Sequence, residues 1–176
     1  MKTARLASAR RGRPDLAQVV FLALLVAMAG QSAWYYPRLP ALVASHFGVS
    51  GHADSYMPKQ EFMRLHLGVV GLISLVLLVV PMLVVRLPPG MINLPNKDYW
   101  LAPERRAHTG RVIRGFLTSF GDAMLLFLLV IFGDAMRASL LPAPRLSNRV
   151  WVMLILLASF AVIWTIRFVR AFRRPD

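Results

Sequence analysis

The sequence predicts an all-α integral membrane protein, a four-transmembrane-helix bundle with a structured extracytoplasmic loop between helices 1 and 2. Four stretches are apolar enough to cross the hydrocarbon core of a bilayer, which takes a helix of ~20 residues. The chain is 57% hydrophobic, with a mean hydropathy of +0.55, whereas soluble domains are ~45–50% apolar. Four spans and their loops use nearly all of the 176 residues, so the sequence predicts no separate soluble domain.

The predicted spans are Leu16–Tyr36, Leu65–Val85, Phe116–Met136 and Val150–Phe168. Two of them contain long uncharged runs, Leu67–Val85 and Val150–Ile166. The predicted division of the chain is a basic tail (1–15), a two-helix domain (16–85) with an outer loop (37–64), a connector (86–115), a C-terminal helix pair (116–168) and a second basic tail (169–176).

The first span also fits a secretory signal peptide, because Ala27-Met28-Ala29 resembles a cleavage site of small residues. The apolar stretch nevertheless continues to Trp34-Tyr35-Tyr36, an aromatic cluster suited to the headgroup level of the membrane. We therefore expect an uncleaved anchor, and both interpretations leave the loop 37–64 outside.

The 21 Lys and Arg residues are divided unevenly between the two sides of this topology. Five lie in the first tail, six between spans 2 and 3 and four in the last tail, against six in the other two connections. Cytoplasmic loops are enriched in Lys and Arg. The pattern predicts a multi-pass membrane protein with both termini in the cytoplasm, and it attributes the net charge of +13 to the membrane and not to nucleic acid.

The outer loop contains two prolines near its start and two glycines near its middle, which break regular structure. We expect a shaped loop with one helical turn at residues 39–45. Four apolar side chains of this region should pack on the outer ends of the helices, namely Leu39, Leu42, Val43 and Phe47.

The string Leu39-Pro40-x-x-Val43-x-x-His46-Phe47, followed by Gly51, Asp54 and Lys59, resembles a bacterial membrane domain of unknown function. That domain also occurs at the N-terminus of the sporulation-delaying-protein immunity family (SdpI-like proteins). The resemblance covers roughly residues 20–85, and the chain departs from it at Ala44, where the family usually has proline. It implies a protein of the bacterial plasma (inner) membrane that gives immunity to a membrane-active peptide, or senses one. With the neighbouring His52 added, the candidates for binding a ligand or structuring the loop are His46, Phe47, Gly51, His52, Asp54 and Lys59.

Polar residues inside the predicted spans are the second set of candidates. Asp122 lies about two turns inside Arg114, at a depth where a charge costs at least ~2.5–3.5 kcal/mol. A structural carboxyl should face the bundle and bond to Gln31 or Ser74, whereas a functional one would carry protons or cations. Asp134 is close enough to Arg137 for an interfacial ion pair.

Histidines and carboxylates of the outer face form the third set. His46, His52, Asp54 and His66 carry the side chains that zinc prefers, although their spacing matches no known zinc motif. Each also has a structural interpretation as a residue that fixes the loop. The sequence has no catalytic motif and no cysteine, so we expect neither an enzyme nor a cofactor.

The function predicted first is therefore a small polytopic SdpI-like protein whose partners are the bilayer and a peptide toxin or another membrane protein. The alternative is a small transporter, or a metal-dependent membrane enzyme, that uses the outer histidines or Asp122.

Overall fold

The computed structural model describes residues 16–84 and 86–173. The two basic tails therefore lie outside the described residues, apart from the start of the second. The elements in chain order are α1 (Leu16–Tyr35), a 3-10 turn (Tyr36–Arg38), β1 (Leu42–Phe47), β2 (Ala53–Pro58), α2 (Lys59–Val84), a second 3-10 turn (Pro89–Met91), the short α3 (Lys97–Trp100), α4 (Pro103–Ala138) and α5 (Asn148–Ala171).

Four of the described helices, α1, α2, α4 and α5, are long and apolar enough to cross a membrane. This confirms the predicted fold class, to which the structure adds a small two-stranded sheet. Two helices begin well before their predicted spans. The first turn of α2 contains Lys59 and Glu61, and α4 starts at Pro103. The fixed backbone angle of proline suits the first turn of a helix, and polar turns extend a helix beyond the bilayer.

Helix α4 is the centre of the bundle, because α1, α2 and α5 all pack against it. Its 36 residues make it ~54 Å long, which exceeds the hydrocarbon thickness of a membrane. Between α1, α2 and α4 lies an apolar core formed by Phe21, Met28, Val70, Leu125 and Leu128. At Gly121 of α4 a Cβ atom would overlap the Leu77 side chain of α2, so the glycine allows the two helices to approach closely.

The outer faces of the helices are strongly apolar and exposed. Leu72 of α2 is 63% exposed and Ile155 of α5 is 67% exposed, as are many neighbouring aliphatic side chains. Water would make such a continuous apolar surface an aggregation site, whereas lipid tails solvate it. The exposed faces therefore agree with the lengths of the helices: this is a multi-pass membrane protein.

The segment between α1 and α2 is a β-hairpin, so the expected helical turn at residues 39–45 is wrong. Strands β1 and β2 pair in antiparallel fashion from Leu42–Pro58 to Phe47–Ala53. A turn closes them, in which the Gly51 N–H donates to the Gly48 carbonyl. The inner face of β1 is fully buried at Val43, which packs with Leu39 and with α2 and α4. This burial, together with the paired strand β2, stabilises the extended conformation.

The loop between α4 and α5 pairs with the turn of the hairpin. The Leu146 N–H donates to the Gly51 carbonyl at 2.9 Å, and the Ala53 N–H donates to the Pro144 carbonyl at 3.1 Å. Side chains at the C-terminal end of α4 add to this. The Ser139 hydroxyl accepts the Ala44 N–H, and the buried carboxylate of Asp134 accepts both the N–H and the hydroxyl of Ser147. We call this part of the molecule the hairpin end.

At the opposite end of the bundle, the connector (86–115) contacts Phe172, the residue that follows the last turn of α5. Asn96 and the Trp100 indole both donate to the Phe172 carbonyl, at 3.0 and 2.9 Å. The aromatic ring of Phe172 is buried with Leu94, Leu101 and Ile113. The start of α1 lies at this end too, since Gln18 shares a cavity with Arg114. We call this the basic end.

The fold places Ser50 and Leu141 at the hairpin end and Asn93 at the basic end, all three exposed. Because the chain has no cysteine, single Ser50→Cys, Leu141→Cys and Asn93→Cys variants can be labelled one at a time. In sealed vesicles an impermeant maleimide should label the first two from one side and the third from the other side. Labelling of Ser50→Cys and Asn93→Cys from the same side would contradict the four-span topology.

Candidate functional site

An apolar groove lies where the hairpin meets the bundle, and we call it the hairpin groove. It has a volume of about 370 Å³. Strand β1, α2, α4 and the α4–α5 loop all contribute to it. Its lining residues are Ser45, His46, Phe47, Phe62, Val69, Phe127, Leu128, Ile131, Phe132, Ala135 and Leu146.

The groove extends from the hairpin into the membrane-spanning part of the bundle. His46 and Phe47 lie at its hairpin end, while Val69 and Phe127 line its deeper part. Phe62 and Val69 are seven residues apart on α2, which corresponds to ~10 Å along the helix. An occupant of the groove would therefore contact both the headgroup level and the first part of the acyl region.

Aromatic rings form the back wall of the groove. The rings of Phe62 and Phe132 pack edge to face with their centroids 6.0 Å apart. Behind them the imidazole of His66 packs against Phe132 at 4.4 Å. Such edge-to-face pairs fix ring orientation, so the wall has a defined shape.

His66 lies inside the bundle and not on the outer loop. Its side chain is fully buried, and its Nε2 is 3.1 Å from the Ser32 hydroxyl of α1. That hydroxyl donates its only hydrogen to the Met28 carbonyl at 2.8 Å, so Nε2 of His66 is the donor to Ser32. The histidine thus connects α1 and α2 behind the wall of the groove.

The rim of the groove carries a hydrogen-bonded pair, His46 and Asp54, whose Nδ1 and Oδ1 atoms are 2.5 Å apart. Both side chains are largely exposed. The strand register shifts once on each side of His46, which leaves Ser45 and Asp54 as the extra residues of two bulges. Bulges redirect side chains, and here they bring the imidazole and the carboxylate together on the exposed face of the hairpin.

The other residues of the predicted loop set have separate positions. Phe47 lines the groove, and Gly51 adopts a φ of +79°, a conformation that favours glycine. The exposed His52 forms an isolated β-bridge with Arg145 of the α4–α5 loop. Lys59 places its ammonium 5.2 Å from the centre of the Tyr36 ring. Of the six, only His46 and Phe47 contribute to the groove, and Asp54 contacts His46 at its rim.

The predicted metal ligands are not brought together. His46 and Asp54 form the exposed pair, His52 lies at the hairpin turn, and His66 is buried between α1 and α2. Within residues 16–84 and 86–173, no three His, Asp or Glu side chains form a group that could hold a metal ion. The reason is that strand β2 and the first turns of α2 carry His66 from the hairpin into the bundle.

Gln31 does not reach Asp122, contrary to one of the predicted pairings. Its amide donates to the Leu129 carbonyl at 3.1 Å, and it packs so closely on Gly133 that a Cβ there would overlap it. Leu129 is seven residues from Asp122, which is ~10 Å along α4. The register of α1 against α4 therefore places Gln31 towards the hairpin end.

Asp122 is half-buried and lines a small cavity of about 130 Å³ towards the basic end. Gln18, Arg114 and Thr118 line the same cavity, together with apolar side chains of α1 and α2. The hydroxyl of Ser74, the other predicted partner, is buried and bonds to none of the described groups. The polar groups that share a cavity with Asp122 therefore come from the basic end.

A family model for a domain of unknown function (DUF1648) matches residues 23–65. The match contains most of α1, the whole hairpin and about the first two turns of α2. It covers well under half of the chain, and it ends before α4, which supplies the opposite wall of the groove. No curated protein and no solved structure matches the chain. The association with immunity proteins stays a prediction.

Sequence reasoning did not identify the groove residues of α2 and α4, above all Phe62, Phe132 and Ala135. It also did not identify the Ser139 hydroxyl that accepts a strand N–H. The signal that was available is the spacing of two six-residue segments, Leu42–Phe47 and Ala53–Pro58, around a turn with a glycine at each end. That spacing is typical of a hairpin.

Two substitutions at Asp122 distinguish a structural carboxyl from a proton or cation relay. In the structural case Asp122→Asn keeps hydrogen-bonding capacity and is tolerated, whereas Asp122→Leu costs ~1–2 kcal/mol of stability, the scale of interhelical hydrogen bonds. We expect this order in thermal unfolding of the purified protein in detergent. An Asp122→Asn protein that folds normally but has lost its cellular phenotype would instead support the relay, because Asn cannot titrate.

Proposed function

We propose that the protein binds a membrane-active peptide in the hairpin groove and in this way protects the cell from that peptide or senses it. The observation that supports this proposal is the position of the groove, which passes from the polar rim of the hairpin into the apolar bundle. A ligand there must itself be amphipathic and must reach the site along the membrane interface.

Membrane-active peptides have these properties. They lie in the interface as helices with one apolar face, and apolar grooves bind such helices through side chains on that face. In this chain the aromatic wall around Phe132 would receive the apolar face. The exposed Asp54 carboxylate at the rim suits a basic side chain of the peptide, since opposite charges guide orientation.

The proposal requires the hairpin end to face outward, and the distribution of charge supports that orientation. Within the described residues the three ion pairs, His46–Asp54, Arg64–Glu61 and Arg137–Asp134, are all at the hairpin end. The connector and the C-terminal residues supply an excess of arginine at the other end. By the positive-inside rule the basic end is cytoplasmic, with both termini on that side. With vesicles of known orientation, the maleimide labelling described above also shows which end of the bundle faces the cytoplasm.

The alternative, a transporter or a metal-dependent enzyme, has no common site in this fold. The candidate histidines are distributed between the hairpin and the bundle interior. Asp122 is 13 residues from Ala135 of the groove, or ~20 Å along α4. We therefore place peptide binding first.

The test compares two Trp substitutions on α2. Val69→Trp fills the groove, because Val69 lines it, whereas Leu72→Trp adds the same side chain to a face that is 63% exposed. The probe is a fluorescent basic amphipathic helical peptide, titrated onto the protein in lipid nanodiscs. We expect Val69→Trp to weaken binding at least tenfold, about 1.4 kcal/mol, and Leu72→Trp to leave it unchanged.

A second pair of variants examines the rim. His46→Ala removes the partner of Asp54, and His108→Ala removes an exposed histidine of α4 at the basic end. Cells that produce the first variant should lose resistance to the peptide, while the second should match wild type. Equal binding by Val69→Trp and Leu72→Trp, with no effect of His46→Ala, would rule out the groove as the peptide site.

A further inference from the structure

We propose that a second groove, between α4 and α5 near the basic end, is a binding site for one anionic glycerophospholipid. An acyl chain would lie along the apolar floor of the groove, and the phosphate would contact Arg167. The site is separate from the hairpin groove, so it stands or falls independently of the proposed peptide binding.

The groove has a volume of about 390 Å³. Its walls come from Val112 and Phe116 of α4 and from Phe160, Ile163 and Trp164 of α5. Gly115 also lines it, and a Cβ at that position would meet no atom within 4 Å. The space over Gly115 is thus open, and it is wide enough for a hydrocarbon chain.

Contacts between the two helices fix the shape of the groove. The Trp164 indole donates to the Phe116 carbonyl at 2.9 Å, which holds the ring against α4. Phe116 packs edge to face on both Trp164 and Phe168, and the last two rings are stacked with their centroids 5.3 Å apart. These contacts hold two of the lining residues, Phe116 and Trp164, in defined orientations.

The groove lies just inside the membrane boundary. The charged residues that bracket the apolar part of α5 are Arg149 and Arg167, which are 18 residues apart, or ~27 Å. On α4 the corresponding boundary at the basic end is Arg114. The apolar floor is therefore at the depth of acyl chains, while the guanidinium of Arg167 reaches the depth of lipid phosphates.

The charge of this region selects an anionic headgroup. Arg167 lines the groove, is exposed and forms no ion pair with the described residues. Arg111 and Arg170 are exposed on the same two helices at the same end. Basic pockets between transmembrane helices are suited to anionic lipid headgroups. A free phosphate ion would match the arginine but leave the apolar floor empty.

The experiment measures binding of two lipids with the same fluorescent acyl chain, phosphatidylglycerol and phosphatidylcholine, to the purified protein in detergent. Wild type should prefer phosphatidylglycerol, and inorganic phosphate should not compete. Arg167→Gln should weaken phosphatidylglycerol binding about fivefold, the contribution of one basic side chain at an anionic membrane surface. The same variant should leave phosphatidylcholine binding unchanged.

Two further variants complete the test. Gly115→Leu fills the open space and should weaken binding of both lipids, while its thermal unfolding confirms that it folds. Arg173→Gln removes an exposed arginine at the same end that does not line the groove, and should change nothing. Equal affinity of wild type for the two lipids would overturn the proposal. So would competition by inorganic phosphate, or equal effects of Arg173→Gln and Arg167→Gln.

Discussion

The hairpin end depends on the C-terminal end of α4, where Asp134 in the helix and Ser139 just after it satisfy the backbone of two different segments. Ser139 accepts the buried N–H of Ala44 in strand β1 and donates to the Ala135 carbonyl. Asp134 accepts the N–H and hydroxyl of Ser147, which precedes α5. Buried backbone groups without partners are costly. The end of α4 thus determines where the hairpin and α5 begin, and Phe132 and Ala135 of the groove lie on the last turns of that helix.

The helices could be predicted from local composition, because a span needs only a sufficient length of apolar residues. For the hairpin the sequence offers only the spacing of its two segments, since its strands contain a single β-branched residue, Val43, and their stability comes from distant partners such as Ser139 and Leu146. The hairpin groove could not be predicted, because it is formed by residues that are distant in sequence: Phe62 and Phe132, which are in contact, are 70 residues apart. The pairing of Gln31 with Asp122 was wrong because depth in the bilayer was inferred without the register of α1 against α4.

The two ends of the bundle carry different charged groups, and each proposed site is matched to the groups at its own end. At the hairpin end the carboxylates of Asp54, Glu61 and Asp134 each pair with a histidine or an arginine, and backbone hydrogen bonds hold a short sheet over an apolar groove. At the basic end Arg167, which forms no ion pair with the described residues, lies beside an aromatic seam between α4 and α5. Helix α4 connects both, because one of its faces contacts α1 and α2 while another contacts α5.

The most direct test of this account compares two carboxylates that each pair with an arginine three residues later. Asp134 is 4% exposed at its side chain and Glu61 is 53% exposed. Asp134→Ala leaves the Ser147 N–H without its acceptor and should lower the free energy of unfolding in detergent by ~2–3 kcal/mol. Glu61→Ala should cost less than ~1 kcal/mol, as expected for an exposed pair. Equal stability of the two variants would contradict the central role of the end of α4.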